Sequence, residues 1–234
     1  MNRPKIICHI LQSVDGNIDG DFFSMPELRP AFQAFARIRE EYACDAVISG
    51  ATTASEIYAN SLAYDLPEAK ETYPRTDWQA AKADKYAVII DVEGTIHWES
   101  GMVERRGDKK HVITILQENI SDAYIAHLRQ AGVSYVFAGK DSLDLPLAVR
   151  KLKEQFGIEK MLLSGGGIVD WAFLQAGLID EISLVIPPVI DGGTGLASAF
   201  DDSVFAANHS SKSLSLIDVQ RLDGDCIWLR YQTI

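Results

Sequence analysis

The sequence is poor in cysteine and in positive charge. Its three cysteines (Cys8, Cys44 and Cys226) lie far apart and form no C-x-x-C pair, so neither a disulfide framework nor a zinc ribbon is predicted. Lys and Arg number 22 against 33 Asp and Glu, which gives a formal net charge of −11. Such a surface repels nucleic acid and anionic lipid. An anionic ligand must therefore be held by local groups such as main-chain amides.

Long apolar runs are also absent. No segment approaches the roughly 18 apolar residues that a membrane-spanning helix needs. The first residues, Met1-Asn2-Arg3-Pro4, lack the apolar stretch of a secretion signal. We therefore expect a cytoplasmic protein that binds neither membrane nor nucleic acid. The length of 234 residues, of which 47% are apolar, predicts one domain over residues 1–234.

Apolar runs rich in β-branched residues alternate with amphipathic segments along most of the chain. We predict strands at 5–14, 45–49, 86–92, 111–116, 135–138, 160–163 and 182–186, and helices at 26–42 (capped by Ser24), 52–58, 121–131, 145–156 and 168–176. The charged run 104–110 predicts a solvated loop. Segments 213–222 and 225–231 flank Asp223-Gly224, a strong hairpin signal. The order predicts an α/β fold with a mostly parallel central sheet flanked by helices and an antiparallel C-terminal hairpin.

Three consecutive glycines join the strand at 160–163 to the helix that follows. Gly165, Gly166 and Gly167 let a ligand approach the backbone, and a helix start offers unpaired N–H groups. With Ser164 as a further donor, they predict a phosphate-binding turn. A tight turn made only for packing would need one glycine rather than three. The motif is neither G-x-G-x-x-G nor a P-loop, and no lysine follows it, which disfavours nucleotide hydrolysis.

Three other segments place polar residues or glycines after predicted strands. Gly50, Thr52 and Thr53 open one helix, although hydroxyl residues there are equally typical of a helix cap. Ser13 and Asp15 follow the first strand, and Pro188 lies in a segment, 186–195, that a structural turn explains equally well. Ligands bind at the carboxyl ends of strands in open α/β sheets, so we expect a dinucleotide between the two glycine-containing turns.

These segments, in this order, resemble the pyrimidine reductase family of riboflavin biosynthesis. That family is the carboxy-terminal domain of the bifunctional deaminase-reductase and has a dihydrofolate reductase-like fold. The matching motifs are S-x-D-G at 13–16, G-x-x-T at 50–53, G-G-G at 165–167, G-L-[IV]-D-E at 177–181 and P-x-x-x-G-G at 188–193. The resemblance implies an NADPH-dependent reduction of a pyrimidine ribosylamine phosphate, in which hydride opens the sugar to a ribityl chain.

The resemblance also implies roles for individual residues. Gly165, Gly166 and Gly167 would seat the cofactor pyrophosphate, and Gly50, Thr52 and Thr53 would contact the cofactor from the other side. The residues that would border the nicotinamide or the substrate are Ser13, Asp15 and Pro188. Asp15 and Glu27 are the carboxylates that we select as candidate proton donors.

One family motif is missing, which leaves alternatives open. The acidic A-D-D-P stretch associated with substrate binding is replaced here by Ala54-Ser55-Glu56-Ile57-Tyr58. A dihydrofolate reductase-like enzyme for another heterocycle, a non-catalytic nucleotide-binding module and a phosphosugar-binding enzyme therefore remain alternatives. The histidines show no metal-ligand spacing, so no metal site is predicted. The terminal hairpin leaves an edge strand available for pairing, which predicts a homodimer.

Overall fold

A computed structural model of the chain describes residues 2–58, 60–61, 66–105, 107–202 and 210–234. The strands and helices follow in chain order as β1 (Lys5–Leu11), α1 (Arg29–Tyr42), β2 (Ala46–Gly50), α2 (Ala51–Ile57), β3 (Asn60–Ser61), β4 (Tyr86–Ile90), β5 (Ile96–His97), β6 (Met102–Arg105), β7 (Asp108–Leu116), α3 (Asp122–Ala131), β8 (Ser134–Phe137), α4 (Leu145–Phe156), β9 (Lys160–Leu163), α5 (Gly167–Gln175), β10 (Glu181–Ile186), β11 (Leu214–Arg221) and β12 (Ile227–Thr233). Among the described residues, no helix is long and apolar enough to cross a bilayer.

The chain divides into two compact units. We call them the middle unit, formed by Met1–Pro4 and Asp45–Glu159, and the terminal unit, formed by Lys5–Cys44 and Lys160–Ile234. The expectation of one reductase domain over residues 1–234 stays a prediction.

The middle unit is built on parallel strands. β4 lies between β2 and β7 and runs parallel to both. β8 extends the set in parallel beside β7, and β6 pairs with β7 in the antiparallel sense. Helix α3 packs on β8 and contributes Tyr124 and Leu128 to a buried cluster with Trp98 and Tyr135. All five residues of β4 are buried, as expected for a central parallel strand.

The terminal unit carries the remaining strands. β1 lies between β9 and β10 and is parallel to both. β12 pairs antiparallel with β10, and β11 pairs antiparallel with β12. Helix α1 packs against β1 and β10, and its Ile38 joins Leu28 and Trp228 in a buried cluster. The predicted α/β class, parallel central strands and antiparallel C-terminal hairpin are confirmed.

Two local predictions are wrong. Ser24 does not cap the first helix, because it ends a separate 3-10 turn; after a second 3-10 turn at Pro26–Leu28, α1 begins at Arg29. The charged run 104–110 is not a loop but the β6–β7 hairpin, in which Glu104 pairs with Lys109 across the strands. Opposite charges on facing positions stabilise such a pair. Within that run, Arg106 lies outside the described residues.

Candidate functional site

The glycine turn lies in the terminal unit, where the buried strand β9 leads into α5. Gly165 has φ of +70°, a conformation that residues with a side chain rarely adopt. Gly166 is the N-cap of α5, and no side chain caps this helix. Its carbonyl accepts the first hydrogen bonds of the helix, from Val169 N at 2.9 Å and from Asp170 N at 3.1 Å. The strand, turn and helix are therefore arranged as predicted from the sequence.

The amides at the start of α5 are available to a ligand. Within the described parts of the chain, the N–H groups of Gly166, Gly167 and Ile168 donate to no protein acceptor. A Cβ built on Gly166 would meet no atom of the described residues within 4 Å, so these residues leave the space beside this glycine open. Unpaired N–H groups and the positive end of the helix dipole favour an anion there.

At Gly167, close packing rather than ligand access explains the glycine. A Cβ at this residue would lie 2.2 Å from the carbonyl oxygen of Ser198 and 2.7 Å from Oδ2 of Asp201. The amide of Asp201 also donates to the carbonyl of Gly167 at 3.1 Å. Packing therefore requires a glycine at 167. Contacts with the described residues do not require one at 166, and the space there leaves the amides accessible to a ligand.

Asp15 lies in the same unit, in the loop after β1. Its carboxylate accepts hydrogen bonds from Ser13 Oγ at 2.6 Å and from the amides of Asp191 and Gly192 at 3.1 and 2.8 Å. These bonds, with that of Ser13 the strongest, lower the pKa of Asp15 to about 2. A carboxylate held ionised in this way is suited to positioning the loop rather than to donating a proton at neutral pH.

Backbone contacts connect the three segments of the terminal unit. Val14 N donates to the carbonyl of Val189 at 2.8 Å, and Ile18 N donates to that of Ala197 at 2.9 Å. Ser198 Oγ donates to Oδ1 of Asp201 at 2.5 Å, and the Asp201 amide bonds to the glycine turn. The loop after β1, the segment after β10 and residues 165–167 therefore form one connected region, which we call the glycine-turn site.

Other predicted residues lie at the surface or in the other unit. Pro188 is exposed, at the centre of a tight turn closed by Val189 N and the carbonyl of Pro187 at 2.8 Å. Glu27 is exposed on the short 3-10 turn that precedes α1. Thr52 and Thr53 lie inside α2 of the middle unit. That helix has Gly50 as its N-cap and no side-chain cap, so the alternative role of these threonines as caps is wrong.

Sequence reasoning missed two groups of the glycine-turn site. Ser198 and Asp201 brace Gly167, and no motif marks them. Asp170 in the first turn of α5 is fully buried, although an acid at a helix start is ordinarily exposed and stabilised by the helix dipole. The described residues contain no group of three or more His, Cys, Asp or Glu side chains that could hold a metal ion.

Comparison with known proteins decides the family. The model of the RibD C-terminal domain matches residues 4–228. The chain belongs to this family. The resemblance to the pyrimidine reductases of riboflavin biosynthesis is thereby confirmed.

Individual relatives of this family member are reductases or resemble them. A 2,5-diamino-6-ribosylamino-4(3H)-pyrimidinone 5′-phosphate reductase from Methanothermobacter thermautotrophicus is 27% identical over 85% of this chain and 84% of its own length. A pyrimidine reductase-like protein from Corynebacterium diphtheriae has a TM-score of 0.68 at 18% identity, over 100% of this chain and 93% of its own. The Thermotoga maritima diaminohydroxyphosphoribosylaminopyrimidine deaminase/5-amino-6-(5-phosphoribosylamino)uracil reductase has a TM-score of 0.61 at 18% identity, and the match covers 57% of that longer chain.

The two structural matches establish the fold of the reductase domain, the dihydrofolate reductase-like fold that the resemblance implies. Family membership and the reductase relatives support an oxidoreductase.

Proposed function

We propose that this family member is an NADPH-dependent reductase of a pyrimidine ribosylamine 5′-phosphate, related to 5-amino-6-(5-phosphoribosylamino)uracil. The observation that carries the proposal is the open space beside Gly166 at a helix start with unpaired amides. Packing explains Gly167 but not Gly166, and a dinucleotide phosphate suits both the space and the donors. The M. thermautotrophicus relative, named for a substrate of this class, supports the choice of substrate.

The cofactor supplies a hydride and the chain supplies binding and orientation. In the balanced reaction the ribosylamine gains one hydride from NADPH and one proton, and it leaves as the ribitylamine with NADP⁺. The glycine-turn amides would hold the pyrophosphate, with Ser164 as a further donor. Ser13 and Asp15 keep the loop after β1 in one conformation through their mutual hydrogen bond. Pro188 lies in the segment that Asp15 ties down.

The remaining assignments follow from the same family relationship. Glu27, exposed on the 3-10 turn before α1, stays a candidate proton donor, while the hydrogen bonds of Asp15 suit that residue to positioning. Gly50, Thr52 and Thr53 form the cofactor contact proposed for the middle unit. The compartment is proposed on separate grounds: the three cysteines are free, which fits a reducing, cytoplasmic compartment. We also propose a homodimer, formed through the terminal hairpin.

A ligand panel tests the proposal. Thermal shifts are measured with NADPH, NADH, ribose 5-phosphate, dihydrofolate and the two pyrimidine ribosylamine phosphates, the uracil and the diaminopyrimidinone. Turnover is then followed as loss of absorbance at the reduced-nicotinamide band. We expect a shift with NADPH, and its oxidation only when a pyrimidine substrate is added. NADPH binding without turnover would instead support a non-catalytic nucleotide-binding module. Turnover with dihydrofolate would support an enzyme for another heterocycle. A thermal shift with ribose 5-phosphate alone would support a phosphosugar-binding enzyme.

Variants of Gly166 test the phosphate assignment itself. Gly166 has φ of −55°, and a Cβ there meets no atom of the described residues, so alanine and then valine add increasing bulk beside the turn. Affinity for NADPH should fall in the order Gly, Ala, Val, while the melting temperature of the free protein stays constant. Ala176→Val adds similar bulk at the exposed far end of α5 and serves as the control. Unchanged NADPH affinity in Gly166→Val would show that the phosphates bind elsewhere.

A further inference from the structure

A buried carboxyl group lies beneath the glycine turn. Asp170 is 0% exposed, and neither of its carboxylate oxygens has a hydrogen-bond partner among the described residues. Its backbone N–H donates to the carbonyl of Gly166 at 3.1 Å, which fixes the residue in the first turn of α5. Oδ2 lies 3.6 Å from the position that a Cβ on Gly165 would occupy. The carboxyl group therefore lies against the inner side of the turn whose amides we assign to phosphate.

Among the described residues, no positive charge shifts the pKa of this carboxyl group. Two polar groups lie close enough to the Asp170 carboxyl group to lower its pKa, the thiol of Cys8 on β1 and the amide of Gly165. Neither of them has the geometry of a hydrogen bond to it. No Lys, Arg or His of the described chain acts on it. Burial, the largest cause, raises the pKa of Asp170 well above its ordinary value. Burial and the neighbouring Asp170 likewise raise the pKa of the Cys8 thiol, so both groups of the pair favour their neutral forms.

We infer that Asp170 is a positioning residue kept as the neutral acid beneath the glycine turn, and that its proton is a condition for binding the anionic phosphates there. Two physical effects support this. An ionised carboxylate would place a buried negative charge, poorly screened by water, beneath the turn that binds the phosphate. It would also attract the Gly165 amide inward and so displace the turn that carries the free amides of Gly166 and Gly167. The inference rests on the proposed function, because it needs an anion at this turn.

Proton and cofactor binding are then coupled. If NADPH binds only when Asp170 is protonated, its affinity falls by about tenfold for each pH unit above the pKa of Asp170 in the free protein. Above that pKa, each cofactor bound also takes up one proton. Asp170→Asn has nearly the same shape and cannot ionise, so its NADPH affinity should lack this alkaline decline.

The experiment compares NADPH dissociation constants of the wild type and Asp170→Asn from pH 6 to 9.5. The ratio of the two constants cancels the titration of the cofactor itself and of other shared groups. We expect the ratio of the wild-type constant to the Asp170→Asn constant to rise with pH, by about tenfold for each pH unit above the pKa of Asp170. Asp223→Asn removes one carboxylate from the exposed terminal turn and should keep the wild-type profile. Parallel profiles for the wild type and Asp170→Asn would overturn the inference.

Calorimetry provides a measurement that does not need the variant to fold. NADPH binding to the wild type is measured at alkaline pH in two buffers of different ionisation enthalpy, which reports the protons taken up. Uptake that increases with pH is expected, and its absence up to pH 9.5 would contradict the inference.

The failure of this inference is distinguishable from failure of the proposed function. If the wild type binds no NADPH at any pH, or if Gly166→Val binds it normally, the cofactor assignment fails and the role of Asp170 fails with it. If NADPH binds and Gly166→Val does not bind it, while the Asp170→Asn profile parallels the wild type, only the role of Asp170 is refuted.

Discussion

The backbone amide of Gly192 donates a 2.8 Å hydrogen bond to the carboxylate of Asp15. Together with the 3.1 Å bond from Asp191 N, it ties the segment after β10 to the loop after β1. Both segments follow strands that are neighbours in the sheet but far apart in the sequence. One ionised side chain therefore reinforces the backbone hydrogen bonds that connect the two loops of the glycine-turn site.

Asp15→Asn should loosen this connection. The amide cannot accept charge-assisted bonds from both backbone N–H groups, so we expect faster hydrogen exchange at residues 191 and 192 and a higher KM for the substrate. The pKa of Asp15 is lowered to about 2, so its stabilising contribution is present above its ordinary pKa and is lost as the pH falls through about 2.

Asp19→Asn is the matched control, because the Asp19 carboxylate bonds to the amide of its neighbour Gly20 in the same loop. Equal exchange at residues 191 and 192 in both variants would contradict the role of Asp15.

Gly167→Ala should destabilise the folded protein. Its Cβ would lie 2.2 Å from the Ser198 carbonyl oxygen, a contact with backbone that cannot move away easily. The expected loss is about 1–3 kcal/mol in the free energy of unfolding by urea, the usual cost of overpacking. Gly166→Ala is the control and should lose much less, since its Cβ meets no atom of the described residues within 4 Å. Equal losses at the two glycines would mean that the brace formed by Ser198 and Asp201 is not rigid.

We expect the titration of His9 to make the free energy of unfolding depend on pH. This buried side chain stacks on Phe35 with ring centroids 4.2 Å apart, and its ring nitrogens contact Ser183 Oγ and the Phe35 carbonyl. Burial lowers the pKa of His9 to about 4 from 6.5. Between these values the unfolded chain binds a proton and the folded chain does not, so stability falls as the pH falls.

The expected loss from His9 is about 3 kcal/mol between pH 7 and pH 4, since one pKa unit corresponds to about 1.4 kcal/mol. Urea unfolding of the wild type and of His9→Gln across this range measures it. Burial also lowers the pKa values of His111 and His127, so the variant keeps their slope. An identical slope in both proteins would show that His9 does not contribute.

The terminal hairpin should mediate self-association. β11 ends the strand order, and its register with β12 places four apolar side chains on one sheet face. The four side chains and their exposed fractions are Leu214 (37%), Leu216 (56%), Val219 (52%) and Ile227 (41%). An apolar face on an edge hairpin is typical of a pairing surface. We expect a homodimer in sedimentation equilibrium, and a monomer for Leu216→Lys.

Ser215→Lys is the control for this surface, because the neighbouring residue is exposed on the opposite face of β11. It should leave the dimer intact. A monomeric wild type, or a Leu216→Lys variant that stays dimeric, would exclude the hairpin face as the interface.

The elements that were predicted correctly are those with local signals. Strand and helix periodicity, the Asp223-Gly224 hairpin and the strand–glycine–helix order at 160–176 each depend on neighbouring residues. The Ser24 cap failed for a reason the local pattern does not contain: two 3-10 turns precede α1, and the helix starts at Arg29. In the same way, the charged run 104–110 predicts a solvated loop from the sequence alone. In the structure its opposite charges face each other across the paired strands β6 and β7.

The sequence by itself determined the fold class, the family and the turn at 165–167, because periodicity and glycine placement act over a few residues. Only the tertiary structure decided what each glycine does, since the atoms that crowd Gly167 come from residues 198 and 201. It likewise made Asp15 an ionised clamp and Asp170 a buried acid. The charge state of a carboxyl group depends on the water and the hydrogen-bond donors around it, and folding brings those from distant parts of the chain.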